Sequence, residues 1–503
     1  MKKIAILLSA LCLAFVAQAQ TKTVDITAGT LENALSGDYA FTDLVVSGTM
    51  DVRDFACINE NAMTLTSIDL SGCAIAAYDS RDEQYLGYRT HFDSNAIPPS
   101  AFFGFTELER VVLPASVTAI GDGAFAGCDK LTTVTGNDAV EVIGDYAFSG
   151  CTALKEIALP NTLKRIGDYA FDKCKALTSV DMSDCDRLVY IGKRAFAQNT
   201  SLSTVKLSNG VKTLGEAAFA GCCMLQNVTM PAGVSDCGIG VFAGCSMLSR
   251  ADISQCTLDT LPAWTFSGCS ELGEVLLPES LSAIGEGAFY YCLALPSVNL
   301  PLGIEYLDSF AFAGCSALQS IDFMPEGLES IGRYTFYQNI SVDSVTIPAT
   351  TSYIGDHAFD GCVNAATFAT EREMPAELGE LVFANMNVEE KTLSVPTESV
   401  VIYEATAQWQ DFGEINGATA VEEVVADNAF KVMFEQYNLV VTSTQDMTEV
   451  RMYDTAGILL ARVSPNACRA MIDTRSFVGN IFLLQVTTAD GRQAVTKVAR
   501  VIR

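Results

Sequence analysis

Residues 151–174 read Cys-Thr-Ala-Leu-Lys-Glu-Ile-Ala-Leu-Pro-Asn-Thr-Leu-Lys-Arg-Ile-Gly-Asp-Tyr-Ala-Phe-Asp-Lys-Cys. Leu154, Ile157 and Leu159 follow an L-x-x-I-x-L pattern whose last part alternates with period two. Such alternation marks a strand with one buried face, and Pro160 ends it because proline cannot donate to a ladder. Ile166-Gly167 forms a second short extended piece and a bend, where glycine tolerates backbone angles that other residues avoid. Ala170-Phe171 then opens a tight turn, helical or 3-10 in type, whose ring fills the interior. The same cycle recurs along the chain. Phenylalanine returns at 102, 125, 148, 171, 196, 219, 242, 266, 289, 312, 336, 359 and 383, at intervals of 23 to 25 residues. A fixed period of this size is the signature of a solenoid, whose units bury their apolar face only by stacking. Fully burying one such ring is worth roughly 1.5–3 kcal/mol, most of it offset by chain ordering, so the file of rings sustains the array collectively.

Composition agrees. A chain of 503 residues is too long for one core, and 49% hydrophobic with 18% charged residues excludes a disordered chain. The formal charge is -29, from 60 acidic and 31 basic side chains. A surface of that sign repels phosphate backbones and anionic lipid, so nucleic acid and direct membrane insertion are not expected. His91 and His357 are the only histidines, which weakens most enzyme readings. Lys2 and Lys3, the apolar run Ile4 to Val16 and Ala17-Gln18-Ala19 make residues 1–19 a cleaved export signal. Leu11 before Cys12 argues against a lipid anchor. Losing the two lysines takes the charge from -29 to -31, and sixteen cysteines remain.

Nine of those cysteines fall three residues after a repeat phenylalanine: Cys128, Cys151, Cys174, Cys222, Cys245, Cys269, Cys292, Cys315 and Cys362. Asn199 and Asn339 take the slot in two other repeats. Cys and Asn share small size and the ability to hydrogen-bond buried backbone, so the slot is a structural ladder of buried thiols. A disulfide ladder or a metal-thiolate stack is the alternative. Parallel inward side chains suit a disulfide dihedral poorly, and no C-x-x-C accompanies a histidine pair, so neither metal nor cofactor is expected. Cys237 stands where other repeats carry isoleucine; Cys73, Cys185 and Cys256 share a D-L/M/I-S-x-C context. A Cys223–His357 pair would lie more than five coils apart, and no nucleophile-elbow, metal-protease or phosphate-loop motif occurs. The chain reads as non-catalytic.

If the strand leucines point inward, the residues flanking the central Ile or Val point out. That concave row comprises Arg110, Thr133, Thr135, Glu156, Ser179, Asp181, Thr204, Lys206, Asn227, Thr229, Arg250, Asp252, Glu274, Ser297, Asn299, Ser320, Asp322, Ser344 and Thr346. It is polar, mostly small and almost free of aromatics, which suits a flat protein-binding sheet. Tyr290, Tyr291, Tyr334 and Tyr337 flank repeat phenylalanines and supply an aromatic cluster on the convex side, which would favour glycan binding instead.

The repeat units resemble the BspA-type leucine-rich repeats of bacterial surface proteins over residues 101–396. Leu44-Val-Val-Ser-Gly48 to Ile68-Asp-Leu-Ser71 resembles the degenerate leading repeats and cap, within residues 20–100. Residues 397–415 resemble the closing segment, with Tyr403, Trp409, Phe412 and Ile415 covering the last coil. Residues 416–426 break the period and read as a linker. From 427 to 503 the charge becomes positive, and strands at 438–443, 450–454, 481–488 and 494–502, with a turn at Asp490-Gly491, suggest an antiparallel β-sandwich. Val450-Arg-Met-Tyr-Asp-Thr-Ala-Gly457, Ile472-Asp473, Gly479-Asn-Ile-Phe-Leu-Leu-Gln-Val486 and Lys497-Val498 resemble the C-terminal sorting domain of type IX secretion in Bacteroidetes. The expected fold is mainly β with short helical or 3-10 turns: a solenoid of about 13 repeats plus that sandwich. The resemblance implies an exported, monomeric surface protein that adheres to host extracellular-matrix or other bacterial surface proteins. Glycan capture for nutrition is the alternative.

Overall fold

The computed structural model describes residues 20–79, 83–88, 90–418, 424–426, 430–435, 438–454, 459–475, 477, 481–489 and 493–499. The export signal, the Asp490-Gly491 turn and the stretches 455–458 and 479–480 of the C-terminal motifs lie outside them. The chain divides into two compact units, Met1–Thr257 and Leu258–Arg503, with the boundary inside the run of repeats.

The first unit opens with parallel strands Thr21–Ile26, Asp43–Met50 and Ser67–Ile75, which lead directly into the first repeat strands, Arg110–Val112 and Thr133–Thr135. The helix Val52–Asn61 closes the open end. Its N-terminus is fixed by a capping box between Asp51 and Asp54, and Phe55 meets Phe102 edge to face at 6.0 Å. The cap thus covers the first ring of the file with another ring.

Each coil then has three sides. One carries a short strand such as Ser179–Asp181, paired in parallel with Thr204–Lys206. The second carries a two-residue strand at the Ile-Gly position, as in Val142–Ile143 beside Arg165–Ile166. The third is a hydrogen-bonded turn and not a helix. There alternate N–H groups donate to the next coil: Tyr146 to Asp168 O, Phe148 to Ala170 O and Gly150 to Asp172 O, at 2.7–2.8 Å. Because those donors point along the stack, they cannot close the bonds within the turn that a helix needs. Helices among the described residues lie only near the two ends of the repeat region. Inside, Phe102 to Phe242 stack at 5.1–5.8 Å.

The stretch that decides the fold departs from the pattern in one respect. Leu154 to Pro160 follows the coil's path without forming a strand. In neighbouring coils a backbone N–H takes the equivalent carbonyl, as Leu113 takes Thr135 O at 2.8 Å and Met182 takes Lys206 O at 2.9 Å. Here the Asn137 side chain donates to Ala158 O instead, at 2.5 Å.

The second unit repeats the plan, with Phe266 to Phe383 stacked at 5.1–6.0 Å. Ser297 and Asn299 also lie outside any strand, next to Pro296, which has no N–H to give. The file ends under Trp409 and Phe412, whose rings meet Phe383 at 5.3 and 5.2 Å. Trp409 Nε1 donates to Ala376 O and Tyr403 Oη to Arg372 O, so both buried polar tips are satisfied. Strand Thr392–Pro396 pairs with Glu414–Ala418. The closing segment therefore runs to 418, into residues read as linker from the lost period. Backbone pairing continues there after the side-chain pattern has stopped.

Val424–Ala426, also read as linker, pairs with Phe430–Glu435 in the terminal antiparallel sheet. That sheet is built around one long strand, Asn438–Tyr453, which pairs with Phe430–Glu435, Leu459–Val463, Ala467–Asp473 and Ile481–Thr488. It is one folded-over sheet rather than two separate ones, because the long strand serves both halves. Val432, Leu439, Val441, Met447, Val450, Met452, Ile472, Phe482, Leu484 and Val486 fill its own core.

Candidate functional site

All nineteen residues of the outward row are exposed or half-buried, while most residues between them, such as Val134, Val180, Val228 and Val345, are buried and Val205 is half-buried. In the first unit the row runs Arg110, Thr133 and Thr135, Glu156, Ser179 and Asp181, Thr204 and Lys206, Asn227 and Thr229, Arg250 and Asp252. Parallel in-register pairing sets Ser179 beside Thr204, Asp181 beside Lys206 and Asn227 beside Arg250. In the second unit it runs Glu274, Ser297, Asn299, Ser320, Asp322, Ser344 and Thr346, with Ser320 beside Ser344. Asp322 falls just past the strand Ser320–Ile321, where it accepts from Ser320 Oγ at 2.8 Å.

Two of the row's cations are paired locally. Lys206 Nζ lies 2.7 Å from Asp181, whose carboxyl is held well below its ordinary range by that lysine and by Ser183. Arg250 reaches Asp252 at 3.5 Å. An acidic chain thus presents a strip of mixed sign without aromatic rings.

Beneath the turns runs the thiol ladder. Cys128, Cys151, Cys174, Cys222, Cys245, Cys292, Cys315 and Cys362 each donate Sγ–H to the carbonyl of the preceding coil's phenylalanine, at 3.1–3.3 Å. Cys269 occupies the same buried slot. Asn339 Nδ2 makes the equivalent bond to Phe312 O at 3.1 Å. Asn199, equally buried, leaves both amide atoms without a partner. Cys73, Cys185 and Cys256 form a second such set, donating to Val46, Pro160 and Pro231 carbonyls at 3.1, 3.4 and 3.8 Å. All sixteen described cysteines carry reduced thiols. Burial pushes Cys128, Cys222, Cys315 and Cys362 up to about 12.

A third column escaped the sequence reading. The residue two before each repeat phenylalanine sits in left-handed backbone, with φ of 51–60° at Ser100, Tyr146, Tyr169, Arg194, Ala217, Trp264, Phe310, Tyr334, His357 and Leu381. Only Gly123, Gly240 and Gly287 are the residue that such a φ favours. The bonds to the next coil impose this geometry and project the side chains outward. In the second unit they build an aromatic cluster. Phe310, Tyr334 and His357 stack at 5.0 and 4.7 Å, Tyr290 meets Trp264 and Tyr291 edge to face, and Tyr337 meets Tyr334. The four tyrosines singled out from the sequence are therefore part of a larger group. The signal in the sequence was one of position alone, two residues upstream of each phenylalanine, where Trp264, Phe310 and Tyr334 stand among unlike residues.

A profile described as "BspA type Leucine rich repeat region" matches residues 95–205, 189–315 and 282–406, well over half of the chain, with six copies. The chain belongs to the BspA-type leucine-rich repeat family. Among solved structures, this BspA-type chain is similar to a leucine-rich repeat protein from Bacteroides ovatus, at 28% identity, covering 56% of this chain and 83% of that one with a TM-score of 0.36. A leucine-rich repeat protein of T. pallidum shares 35% identity over 30% of this chain and 71% of its own, with a TM-score of 0.28. A leucine-rich cell surface protein from Faecalibacterium prausnitzii shares 25% over 58% and 84%, with a TM-score of 0.38. No curated protein matches the BspA-type chain. Among the described residues, no helix is long and apolar enough to cross a membrane.

Proposed function

We propose that this BspA-type protein is a non-catalytic, exported recognition protein that adheres to host extracellular-matrix or bacterial surface proteins through the strand row. The observation that carries this is the row itself: mostly small polar side chains in register, with Lys206 and Arg250 already held by acidic neighbours, so little side-chain freedom is lost on contact. Glycan capture is the second reading, favoured by the aromatic cluster around Tyr334. Sugars stack on open ring faces, however, and Phe310, Tyr334 and His357 turn their faces to one another. Protein recognition therefore stands first.

The test uses the mature chain as bait against purified matrix proteins and bacterial-surface extracts. The double variant Lys206→Glu with Arg250→Glu should lower retention of the captured partner at least about tenfold, the loss of one well-placed charged pair. Undiminished retention would move recognition off the row. For the terminal sheet we propose a type IX sorting role, which places the solenoid at the cell exterior. Removing residues 424–503 should hold the protein in the periplasm, and undiminished surface display would refute that role.

A further inference from the structure

A shallow groove in the first unit lies over Gly123, walled by Tyr88, Phe103 and Tyr146 and floored near Asp122 and Asp145. Gly123 belongs to the left-handed column, so its missing side chain leaves vacant a place that an aromatic ring fills in other coils. A Cβ there would meet nothing closer than 3.8 Å. Tyr146, in the next coil, stacks one ring face on Tyr169 at 4.7 Å. Its other face looks across the vacancy, and the residue is 48% exposed. Asp122 Oδ1 accepts the Asp145 N–H at 2.8 Å, and Asp145 Oδ1 accepts from Asp168 N–H and Arg165 Nη2. Each carboxylate keeps its second oxygen without a bond among the described residues.

The opposite end of the same stack shows what such a ring face takes here. Arg194, in the same column, lays its guanidinium over Tyr169 at 5.5 Å and beside Asp172 at 3.5 Å. Arg165 over Tyr190 with Asp145, and Arg53 over Tyr78 with Asp51, repeat the combination. Ring, planar cation and carboxylate form one recurring arrangement, and over Gly123 the described residues supply the ring and the carboxylates without a cation on the open ring face. A guanidinium gains on the ring face and from the carboxylates together.

We propose that the groove over Gly123 is a binding site for an arginine side chain displayed by a protein partner. The site rests on the reading that the chain recognises proteins, but not on the strand row, which lies on another side of the coil.

The test titrates fluorotyrosine-labelled mature chain with blocked Gly-Arg-Gly, Gly-Lys-Gly and Gly-citrulline-Gly peptides and with a neutral oligosaccharide. The Tyr146 resonance is assigned by its loss in Tyr146→Phe. It should move saturably with the arginine peptide, about threefold more weakly with lysine, and not with citrulline or sugar. Gly123→Tyr should abolish the shift while the chain stays folded, because sister coils carry tyrosine at the same φ. Asp122→Asn should weaken it while keeping the oxygen that caps Asp145. A shift driven by the sugar, no shift with the arginine peptide, or an undiminished shift in Gly123→Tyr would each overturn the proposal. None of these outcomes alters what Lys206→Glu with Arg250→Glu does to partner retention, so the two claims fail separately.

Discussion

Two asparagines in one slot behave differently, and the difference is measurable. Asn339 Nδ2 spans to Phe312 O and leaves only its Oδ1 unmet, whereas Asn199 leaves both a buried donor and a buried acceptor unmet. An unsatisfied buried polar group costs about 1–3 kcal/mol. Asn199→Cys should therefore raise the denaturant midpoint by the equivalent of about 1–2 kcal/mol, and by more than Asn339→Cys, which gives up an existing bond together with one unmet oxygen. The thiols also set a pH limit. With Cys128, Cys222, Cys315 and Cys362 raised to about 12 from an ordinary 9.0, the folded chain holds their protons after the unfolded chain has released them. Stability from this source is complete below pH 9 and falls as pH rises from 9 toward 12, by about 1.4 kcal/mol per pH unit for each thiol. Thermal unfolding followed across that range should show the decline begin near pH 9, and in Cys→Ala variants at these positions it should flatten.

At the level of the coil, stacking rings and carbonyl-to-donor bonds make each turn dependent on its neighbour, so the ends matter most. Trp409→Ala would uncover Phe383 and leave Ala376 O without its donor, a loss of about 3–5 kcal/mol for a buried tryptophan. Hydrogen exchange should then accelerate in residues 353–396 and leave the first unit's repeats unchanged. Equal exchange in wild type and variant would show that the lid carries no such load. The coil was largely legible in advance because phenylalanine, leucine and the Ile-Gly pair recur at one spacing, and each has a single burial role. Three things were not legible. The turn looked helical because Ala-Phe is compatible with a helix, and the direction of its N–H groups is not written in side chains. The strand missing at Leu154–Pro160 depends on one amide, Asn137, that sits outside the period. The pairing of Glu414–Ala418 rests on backbone alone. As for the surface, the outward row followed from alternation, but the left-handed column carries Ser, Tyr, Arg, Trp, His and Leu in turn, so no residue identity announced it.

Across the whole molecule the formal charge of -29 opposes compaction, although cross-coil pairs such as Lys130–Glu107, Lys164–Glu141 and Lys193–Glu216 relieve it locally at 2.6–2.7 Å. These exposed pairs are each worth little, so long-range repulsion outweighs them. Raising ionic strength from about 0.01 M to about 0.1 M shortens the screening length from about 30 Å to about 10 Å. The melting temperature should rise over that interval; a fall would show that the paired charges dominate.

The left-handed column has a consequence for how such a surface changes over generations. Its backbone is dictated by neighbouring turns, not by the occupant, so eight different side-chain types at ten positions, and three glycines, already share one geometry. A single codon change there alters what the protein presents to its surroundings without disturbing the scaffold beneath. Novelty on this face is inexpensive, and divergence should gather there while the rings below stay fixed.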